Sequence, residues 1–293
     1  MDLDDWIKPM LGVPYVPTLG PTHPDAVTAE LVAEVVAVAG TGRHLPHDKD
    51  RRWCEVKDEH VLADAVHHDD GLTLVPTLTR RGPGRVKVHV YGNDPEGRDS
   101  DSDRAHALAG TLRSRFGVAS STVVTYRPHG SVPAAGSTVR IQLASFDGGR
   151  AWPLPDDDIA PLDDRAAGVA TTFAAFAAAA NEGFPFLYER RREGRVGPVL
   201  TAVRGGRIVG AIGPMETLPD PLGRSRLLPQ YFALLPPWRG QGLGRALWRA
   251  AMYWGQKHGA AYQLLQTVTG GPSDRLCQTE GLTDLGFLHT RPG

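Results

Sequence analysis

The sequence predicts a mixed α/β fold, in which helices pack against a sheet that contains both parallel and antiparallel strands. Leu72–Thr79 and Arg85–Tyr91 are both predicted strands, apolar and polar residues alternate in the second, and a Gly-Pro-Gly turn joins the two segments, which indicates an antiparallel hairpin. Further along, an apolar strand leads directly into an amphipathic helix that ends near Trp254, as in a strand–helix unit. A chain of 293 residues is long enough for two domains.

Composition excludes several classes of protein. The formal net charge of −1 gives no reason to expect a nucleic-acid or membrane-surface partner. Cys54 and Cys277 are too few for a disulfide scaffold, and the longest apolar stretch, Ala166–Ala180, is too short to cross a bilayer. The start, MDLDDWIKPM, lacks the apolar core of a signal peptide. We therefore expect a cytoplasmic protein.

The N-terminal half is predicted to contain helix, helix, hairpin, helix and strand. A linker candidate, Arg127–Gly136, then places the domain boundary between residues 130 and 131, giving domains 1–130 and 131–293; the Pro- and Asp-rich segment Asp147–Asp164 is the alternative. The predicted elements of this half are the helix Val27–Val38 with Pro24 in its first turn and Gly40 at its end, a weaker helix Arg51–Val66, the hairpin, a loop Asn93–Asp103, the helix Ala105–Phe116 and the strand Thr122–Tyr126.

The C-terminal half predicts a second set of alternating strands and helices. The predicted elements are the strand Val139–Leu143, the helix Arg165–Asn181, the strands Val199–Arg204 and Arg207–Ile212, the strand–turn–helix segment Leu227–Trp254, the strand Tyr262–Val268, the helix Pro272–Thr279 and the strand Gly286–Thr290.

The strand–turn–helix segment carries the clearest functional signal, Arg239-Gly240-Gln241-Gly242-Leu243-Gly244. Its glycines leave backbone N–H groups uncovered at the positive end of the helix, and Arg239 and Arg245 add charge, so the turn is suited to an anion such as pyrophosphate. No Gly-Lys-Ser/Thr follows, and the spacing is GxGxG rather than GxGxxG. The turn is therefore neither a nucleoside-triphosphate loop nor a dinucleotide fingerprint.

This Arg/Gln-x-x-Gly-x-Gly/Ala pattern after a strand resembles the acetyl-coenzyme A motif of the Gcn5-related N-acetyltransferase (GNAT) superfamily. The order of elements over residues 137–293 is also similar to that of a GNAT domain. The N-terminal half lacks such a motif, but its order of elements faintly resembles the same fold. It is predicted to be either a degenerate GNAT copy in a tandem protein or a packing or substrate-binding domain.

The resemblance implies acetyl-coenzyme A as co-substrate, no metal, and a set of residues that bind the co-substrate. In the family a backbone N–H of the motif strand polarises the thioester carbonyl, and the glycine turn wraps the phosphates. Carried over by position, the implied strand residues are Phe232, Ala233 and Leu234, and the implied phosphate-binding residues are Leu235, Arg239, Gly240, Gln241, Gly242, Leu243, Gly244 and Arg245.

Proton transfer is harder to assign. An amine nucleophile must lose a proton before it attacks, so we expect a base or a water relay. Glu216 is the candidate base, with a solvated strand-end acid as the alternative, and Gln230 and Tyr231 are candidate water positioners. The family pattern Leu-Tyr-x-x-x-Gly-Phe, whose tyrosine protonates the departing thiolate, reads here Leu276-Cys277-Gln278-Thr279-Glu280-Gly281-Leu282.

Cysteine thus stands where the resemblance implies a tyrosine. Cys277 is a candidate proton donor or a small core residue, and Tyr231 or Tyr262 could take over the donor role. A GNAT sheet also has one more strand than the sequence provides after Gly286–Thr290. We expect the N-terminal half to cover that edge, with a homodimer as the alternative.

The sequence therefore predicts an acetyl-coenzyme A-dependent N-acetyltransferase acting on the primary amine of a small molecule, such as a metabolite, amino acid or antibiotic, by direct attack in a ternary complex. The alternatives are a non-catalytic acyl-coenzyme A-binding regulatory module and a protein N-acetyltransferase. Weaker signals are a set of histidines, His44 to His68, whose spacing matches no compact zinc signature and which we interpret as exposed, the acidic residues 156–158, 163 and 164, and the surface charge run Arg190–Arg192.

Overall fold

The computed structural model describes residues 10, 12–69, 71–92, 99–128, 137–146, 151–155, 158–181 and 183–293. They form two compact units: unit 1 runs to Leu143 and resumes over Leu264–Gly293, and unit 2 is Ala144–Gln263. The boundary predicted between residues 130 and 131 lies outside the described residues and stays a prediction.

The secondary structure confirms a mixed α/β chain. The strands are β1 (Tyr15–Val16), β2 (Gly20–Pro21), β3 (Glu59–Val61), β4 (His67–Asp69), β5 (Leu72–Thr79), β6 (Arg85–Gly92), β7 (Ser120–Arg127), β8 (Ser137–Ser145), β9 (Ile159–Pro161), β10 (Leu200–Arg204), β11 (Arg207–Gly213), β12 (Thr217–Pro219), β13 (Ser225–Leu227), β14 (Tyr231–Leu234), β15 (Tyr262–Val268) and β16 (Thr283–Pro292). The helices are α1 (Ala29–Ala37), α2 (Asp99–Phe116), α3 (Ala167–Ala170), α4 (Phe173–Ala180), α5 (Phe184–Arg192), α6 (Leu243–Lys257) and α7 (Pro272–Thr279).

Unit 1 is built on a mixed sheet with the strand order β3-β5-β6-β7-β16-β8, and β4 also pairs with β5. The predicted hairpin is confirmed as β5 and β6, which pair antiparallel over their whole length. Strands β6 and β7 are parallel, and α2 connects them. Ala105, Ala109 and Leu112 of α2 pack on Val86 and Val88 of β6, so the helix covers one face of the sheet.

The strand expected at the C-terminal edge is confirmed, and the N-terminal half covers it. β16 pairs antiparallel with β8 on one side and with β7 on the other. The register between β16 and β7 runs from Phe287 opposite Arg127 to Pro292 opposite Thr122. Both edges of β16 are therefore hydrogen-bonded within one chain, which is how proteins avoid edge-to-edge association.

Three predictions for unit 1 are wrong. Residues 51–66 do not form a helix: a 3-10 turn at Lys49–Arg52 is followed by β3, because this segment pairs with the edge of β5. Pro24 begins a separate 3-10 turn, and α1 starts later, capped by the Thr28 side chain. The acidic segment predicted as a loop already contains the start of α2 at Asp99, so the helix begins before the apolar face that starts at Ala105.

Unit 2 contains an antiparallel sheet with the strand order β14-β11-β10-β9. The predicted strands around the Gly205-Gly206 turn are confirmed as β10 and β11, and both glycines have positive φ. A second set of strands pairs β12 with β13 antiparallel and β13 with the first residues of β15 in parallel. β14 is the last strand of the four-stranded sheet among the described residues.

Helices cover both faces of the four-stranded sheet. On one face, phenylalanines of α4 and α5 form a core with Ile208 and Ala211 of β11. On the other face, α6 approaches closely, because Gly210 leaves room for Leu234 and for Leu247 of the helix: a Cβ at position 210 would lie 2.5 Å and 2.9 Å from their methyl carbons. The α6 prediction is confirmed, including a positive φ at Gly259 after its end.

The helix predicted over residues 165–181 is two helices, α3 and α4. The hydroxyl groups of Thr171 and Thr172 donate to the carbonyl groups of Gly168 and Val169, which satisfies these carbonyls locally at the break. α5 was not predicted, and the charge run Arg190–Arg192 forms its last turn.

Candidate functional site

The chain changes sheets within residues 228–230. Before this point β13 pairs in parallel with the beginning of β15, where Leu227 lies opposite Gln263. After it, β14 pairs antiparallel with β11, where Tyr231 lies opposite Gly213. The single apolar strand predicted here is therefore two strands with different neighbours.

The amides of β14 present hydrogen-bond donors at the edge of the sheet. The N–H of Leu235 donates to the Val209 carbonyl at 2.9 Å, so it faces β11. Because peptide groups alternate in direction along a strand, the N–H groups of Phe232 and Leu234 point away from β11. The Leu234 carbonyl, on that same side, accepts from Nε of Arg239 at 3.0 Å. Two of the three predicted strand residues thus offer backbone donors.

The glycine turn adopts a backbone conformation that favours glycine. Gly240 and Gly242 have φ values of 74° and 85°, in the left-handed region. A Cβ at either position would meet no described atom within 4 Å. These two glycines are therefore required by the path of the backbone, and the space beside them is open to a ligand.

The first turn of α6 directs its amides into that open space. The first bond within the helix runs from the Ala246 N–H to the Gly242 carbonyl at 3.1 Å. The helix itself cannot supply acceptors for the N–H groups of Leu243 and Gly244, which precede this bond. Gly244 also lets the helix lie close to β14, because a Cβ there would be 3.1 Å from Cδ1 of Leu234. The first amides of α6, among the predicted phosphate-binding residues, therefore have no acceptor within the helix.

Glu216 is held in place between β11 and β12. Its Oε1 accepts from the Gly197 N–H at 3.0 Å, and its carbonyl accepts from the Leu228 N–H at 2.9 Å. A Cβ at position 197 would lie 2.2 Å from the Met215 carbonyl oxygen and 3.0 Å from Cγ of Glu216, so glycine is required there. The carboxylate of Glu216 is therefore partly buried and oriented by the Gly197 N–H, and its backbone is bonded to the start of the 228–230 segment.

Tyr231 lies on the face of β14 that packs against α4 and α5. Its ring is 6.3 Å from that of Phe184 and crosses directly over Gly183, where a Cβ would lie 2.2 Å from a ring carbon. Ala233 and Leu235 share this face, whereas Phe232 and Leu234 face α6. Tyr231 is half-buried and close packing fixes its position.

Gln263 is a site residue that sequence reasoning missed. Its side chain is fully buried, and Nε2 donates to Oε1 of Gln230 at 2.7 Å and to the Leu228 carbonyl at 3.3 Å. Among the described residues its Oε1 has no hydrogen-bond partner. The available signal was a glutamine among apolar residues in the first half of β15, because a buried amide needs hydrogen-bond partners.

Cys277 lies in unit 1, on α7, and is buried. Burial raises the pKa of its thiol to about 11, and the neighbouring Asp274 shifts the pKa in the same direction. An ordinary thiol has a pKa of about 8.5, so proton transfer from Cys277 to a thiolate of that kind is uphill. Its role as a proton donor stays a prediction.

The hydroxyl group of Tyr262 is already hydrogen-bonded within the protein. Its hydroxyl donates to Oδ2 of Asp220 at 2.9 Å, and burial together with this bond raises the pKa of Tyr262 above its usual range. Asp220 is itself buried and also binds Nε of Arg224 at 3.0 Å. Tyr262 therefore anchors the 220–224 turn, which argues against its alternative role as proton donor.

The weaker signals have structural explanations. Asp163 pairs with Arg191, and Asp158 pairs with Arg204 at 2.6 Å, while residues 156 and 157 lie outside the described residues. His47 is buried rather than exposed. Within the described residues, no group of three or more His, Cys, Asp or Glu side chains could hold a metal ion. The described helices include none that is long and apolar enough to cross a membrane.

Unit 1 contains a strand–helix–strand segment, β6-α2-β7, with the same order of elements as β14-α6-β15 but with different strand pairing. Its two strands are hydrogen-bonded to each other in parallel, from Arg85 opposite Ser120 to Val90 opposite Thr125. β6, the strand before the helix in unit 1, is thus hydrogen-bonded on both sides, whereas β14 is an edge strand of its four-stranded sheet. The interpretation of unit 1 as a degenerate GNAT copy stays a prediction.

Comparison with known proteins shows that one family profile matches this part of the sequence. The sequence profile of the acetyltransferase (GNAT) family matches residues 167–272. The search of curated proteins found no match. Similar solved structures include a GCN5-related N-acetyltransferase from Sphaerobacter thermophilus, at 17% identity over 79% of this chain and 84% of that one, with a TM-score of 0.49. A tandem GNAT protein from the clavulanic acid biosynthesis pathway has 14% identity over 99% and 94% of the two chains, with a TM-score of 0.48.

The family match includes Glu216, the strand β14, the glycine turn and all of α6, and it ends before the segment that contains Cys277. At such identities and TM-scores neither solved structure assigns a substrate or a site residue to this chain. Residues 167–272 are therefore a domain of the acetyltransferase (GNAT) family.

Proposed function

We propose that unit 2 transfers the acetyl group of acetyl-coenzyme A to the primary amine of a small molecule, by direct attack within a ternary complex. The observation that carries this proposal is that the outward-pointing amides of Phe232 and Leu234 lead into an open glycine turn at the positive end of α6. A long ligand with an acyl group at one end and phosphates at the other fits that arrangement. Acetyl-coenzyme A supplies the activated acyl group.

The glycine turn is the proposed phosphate clamp. The amides of Leu243 and Gly244, with those of Gly240 to Gly242, are the proposed donors, and the three glycines have no side chains that could cover them. Arg245 is exposed on the first turn of α6 and adds positive charge. Arg239 lies against the Leu234 carbonyl and supports the turn. The clamp holds the co-substrate by its phosphates and leaves the acyl end beside β14.

The β14 edge is the proposed oxyanion donor. Backbone N–H groups that are already oriented stabilise the negative charge that develops on the carbonyl oxygen, and they do not have to reorganise during the reaction. Phe232 or Leu234 donates this bond. The other amide holds the arm that links the acyl group to the phosphates.

Glu216 is the proposed base, acting directly or through water. An ordinary alkyl amine has a pKa of about 10.4, so it must lose a proton before attack. The bond from the Gly197 N–H orients the Glu216 carboxylate, and the Glu216 carbonyl accepts from the Leu228 N–H. Gln230 and Tyr231, which follow Leu228, are proposed to position the relay water. Tyr231 is the proposed proton donor to the departing thiolate, because the raised pKa of Cys277 argues against the cysteine.

The test is thiol release from acetyl-coenzyme A with a panel of small amines and lysine peptides. We expect turnover with at least one small amine. Glu216→Gln keeps the oxygen that binds the Gly197 N–H but removes the charge, so kcat should fall by about 100-fold or more while the Kd for acetyl-coenzyme A is unchanged. Glu189→Gln, which removes an exposed charge on α5, is the matched control and should behave as the wild type.

The results separate the alternatives. Tight binding with no turnover on any amine would identify a non-catalytic acyl-coenzyme A-binding module, an alternative favoured by the buried Cys277 in place of the implied tyrosine. Turnover with peptides alone would identify a protein N-acetyltransferase.

A further inference from the structure

Two glutamine side chains meet where the chain changes sheets. Gln263 is the second residue of β15 and lies opposite Leu227 of β13, whereas Gln230 directly precedes β14, which pairs with β11. Nε2 of Gln263 donates to Oε1 of Gln230 at 2.7 Å. This hydrogen bond therefore connects β15 to the start of β14, a strand that belongs to a different sheet.

Both side-chain amides also bind one backbone carbonyl. Nε2 of Gln263 donates to the Leu228 carbonyl at 3.3 Å, and Nε2 of Gln230 donates to the same oxygen. Turning over the Gln263 amide would bring its oxygen against two other oxygens, and turning over the Gln230 amide would bring two nitrogens together. These three bonds, which we call the amide network, therefore fix the orientation of both side chains.

The stability of the fold alone does not explain Gln263. Its side chain is fully buried, and its Oε1 has no hydrogen-bond partner among the described residues. An unpaired oxygen in the interior lowers stability, and an apolar side chain of the same size would avoid that cost. Without Gln263 the Leu228 carbonyl would still accept from Gln230, which is half-buried and within reach of water. The amide at position 263 therefore indicates a role beyond folding.

The amide network joins the two residues that are proposed to handle the proton. An amide side chain has two N–H donors and two acceptor lone pairs, and Gln230 uses one of each in the network, which leaves one of each for a ligand or water. The Leu228 N–H donates to the Glu216 carbonyl at 2.9 Å. Leu228 is thus bonded to Glu216 through its N–H and to both glutamines through its carbonyl.

We propose that Gln263 is a positioning residue for acetyl transfer, which holds the Gln230 amide in the orientation that binds the relay water. The inference rests on the proposed function, because the relay water belongs to the proposed route of the proton. The acceptor ammonium gives one proton to the water, and the water gives one of its own to the Glu216 carboxylate, which leaves a neutral amine and a carboxylic acid. Gln263 is fully buried, so it acts through Gln230 and does not touch the acceptor.

The first test is Gln263→Met in the full chain, measured by thiol release and by equilibrium binding of acetyl-coenzyme A. Methionine has a similar length but cannot donate to Gln230. We expect kcat to fall by about 10–100-fold, as for a small misplacement of a reacting group. kcat/KM for the amine should fall by the same factor, because the lost interaction is needed only in the transition state. The Kd for acetyl-coenzyme A should not change, because neither glutamine belongs to the glycine turn.

A double-mutant cycle separates positioning from support of the fold. Gln230→Met should lower kcat by the same factor as Gln263→Met, and the double variant should lose no more than either single variant, because the two residues act as one unit. If Gln263 only supports the fold, the two losses in kcat multiply. Gln266→Met, an exposed position on the same strand, is the matched control and should keep wild-type kcat.

Gln263→Glu adds a signature in the pH profile and decides the matter if Gln263→Met does not fold. Burial keeps a carboxyl protonated to a higher pH than usual, and its O–H can replace the bond to Oε1 of Gln230. Once ionised, the carboxylate faces two oxygens and can donate to neither. The ratio of the kcat of this variant to wild-type kcat should therefore fall as pH rises, whereas Gln266→Glu should show a constant ratio.

Wild-type kcat in folded Gln263→Met, losses that multiply in the double variant, or a constant ratio for Gln263→Glu overturns the inference and leaves acetyl transfer intact. Wild-type protein that binds acetyl-coenzyme A but acetylates no amine overturns both the inference and the proposed function.

Discussion

Replacing Gly183 by alanine should destabilise the protein through two separable effects. Gly183 has a φ of 88°, and a left-handed conformation costs an alanine about 1–2 kcal/mol. The new methyl group would also lie 2.2 Å from Cε1 of Tyr231, and relieving such overpacking costs about 1–3 kcal/mol more. The free energy of unfolding should therefore fall by about 2–5 kcal/mol, measured by urea denaturation. Because Tyr231 begins β14, activity should fall as well.

Gly194→Ala isolates the backbone contribution. Gly194 has a φ of 66°, and a Cβ there would meet no described atom within 4 Å, so this variant should lose only the conformational part. In the double variant Gly183→Ala with Tyr231→Ala, the ring is absent, so the combined loss should be smaller than the sum of the single losses by about 1–3 kcal/mol. Equal losses for the two glycine variants, or strict additivity, would refute the close contact between Gly183 and Tyr231.

The remaining predictions concern buried titratable groups. Tyr262→Phe should lower the free energy of unfolding by about 1–3 kcal/mol, because it removes a hydrogen bond from buried Asp220. The pH dependence of kcat should not change, and a shift of the alkaline side of the pH profile would instead support Tyr262 as a proton donor. Burial lowers the pKa of His89 from 6.5 to about 4, although the charge of Glu59 acts in the opposite direction. The unfolded state therefore binds the proton at a higher pH than the folded state does. The free energy of unfolding should fall by about 3 kcal/mol as pH drops from 6.5 towards 4. His89→Gln should remove that part of the acid-induced loss, and an unchanged loss contradicts the buried neutral imidazole. Cys277→Ala and Cys277→Ser should both retain wild-type turnover, because a thiol with a pKa near 11 is a weaker acid than the thiol it would protonate; a large loss in both, with folding intact, would make it the donor.

Elements whose limits depend on local residues could be predicted from the sequence. The strand Tyr262–Val268 and the helix Pro272–Thr279 have the predicted bounds, since glycines and a proline mark where the periodicity changes. The helix α6 and its glycine turn could also be predicted, because the turn, the apolar face of the helix and its C-terminal cap lie within one continuous stretch of sequence.

Elements decided by a distant partner could not be predicted. The stretch from Leu227 to Leu234 is apolar throughout apart from Gln230, and nothing local marks the change of sheet at residues 228–230. That change depends on β11 and β15, which lie far away in the sequence. The helix predicted over residues 51–66 is wrong for the same reason, because Glu59–Val61 pairs with β5 as a strand.

The candidate site divides in the same way. The motif identifies the phosphate-binding turn, since those residues act through backbone conformation that glycine encodes directly. Gln263 and Gly183 carry no motif, and their roles are visible only when folding brings them beside Gln230 and Tyr231.

The most direct test of the central claim is to follow an isotopically labelled acetyl group. The full chain is incubated with acetyl-coenzyme A labelled in the acetyl group and an amine that supports thiol release, and all products are analysed by mass spectrometry. Direct transfer predicts that the label appears on the acceptor as an amide that resists neutral hydroxylamine, with none on the protein at any time. Label that is found on the protein, or only in free acetate, would contradict it.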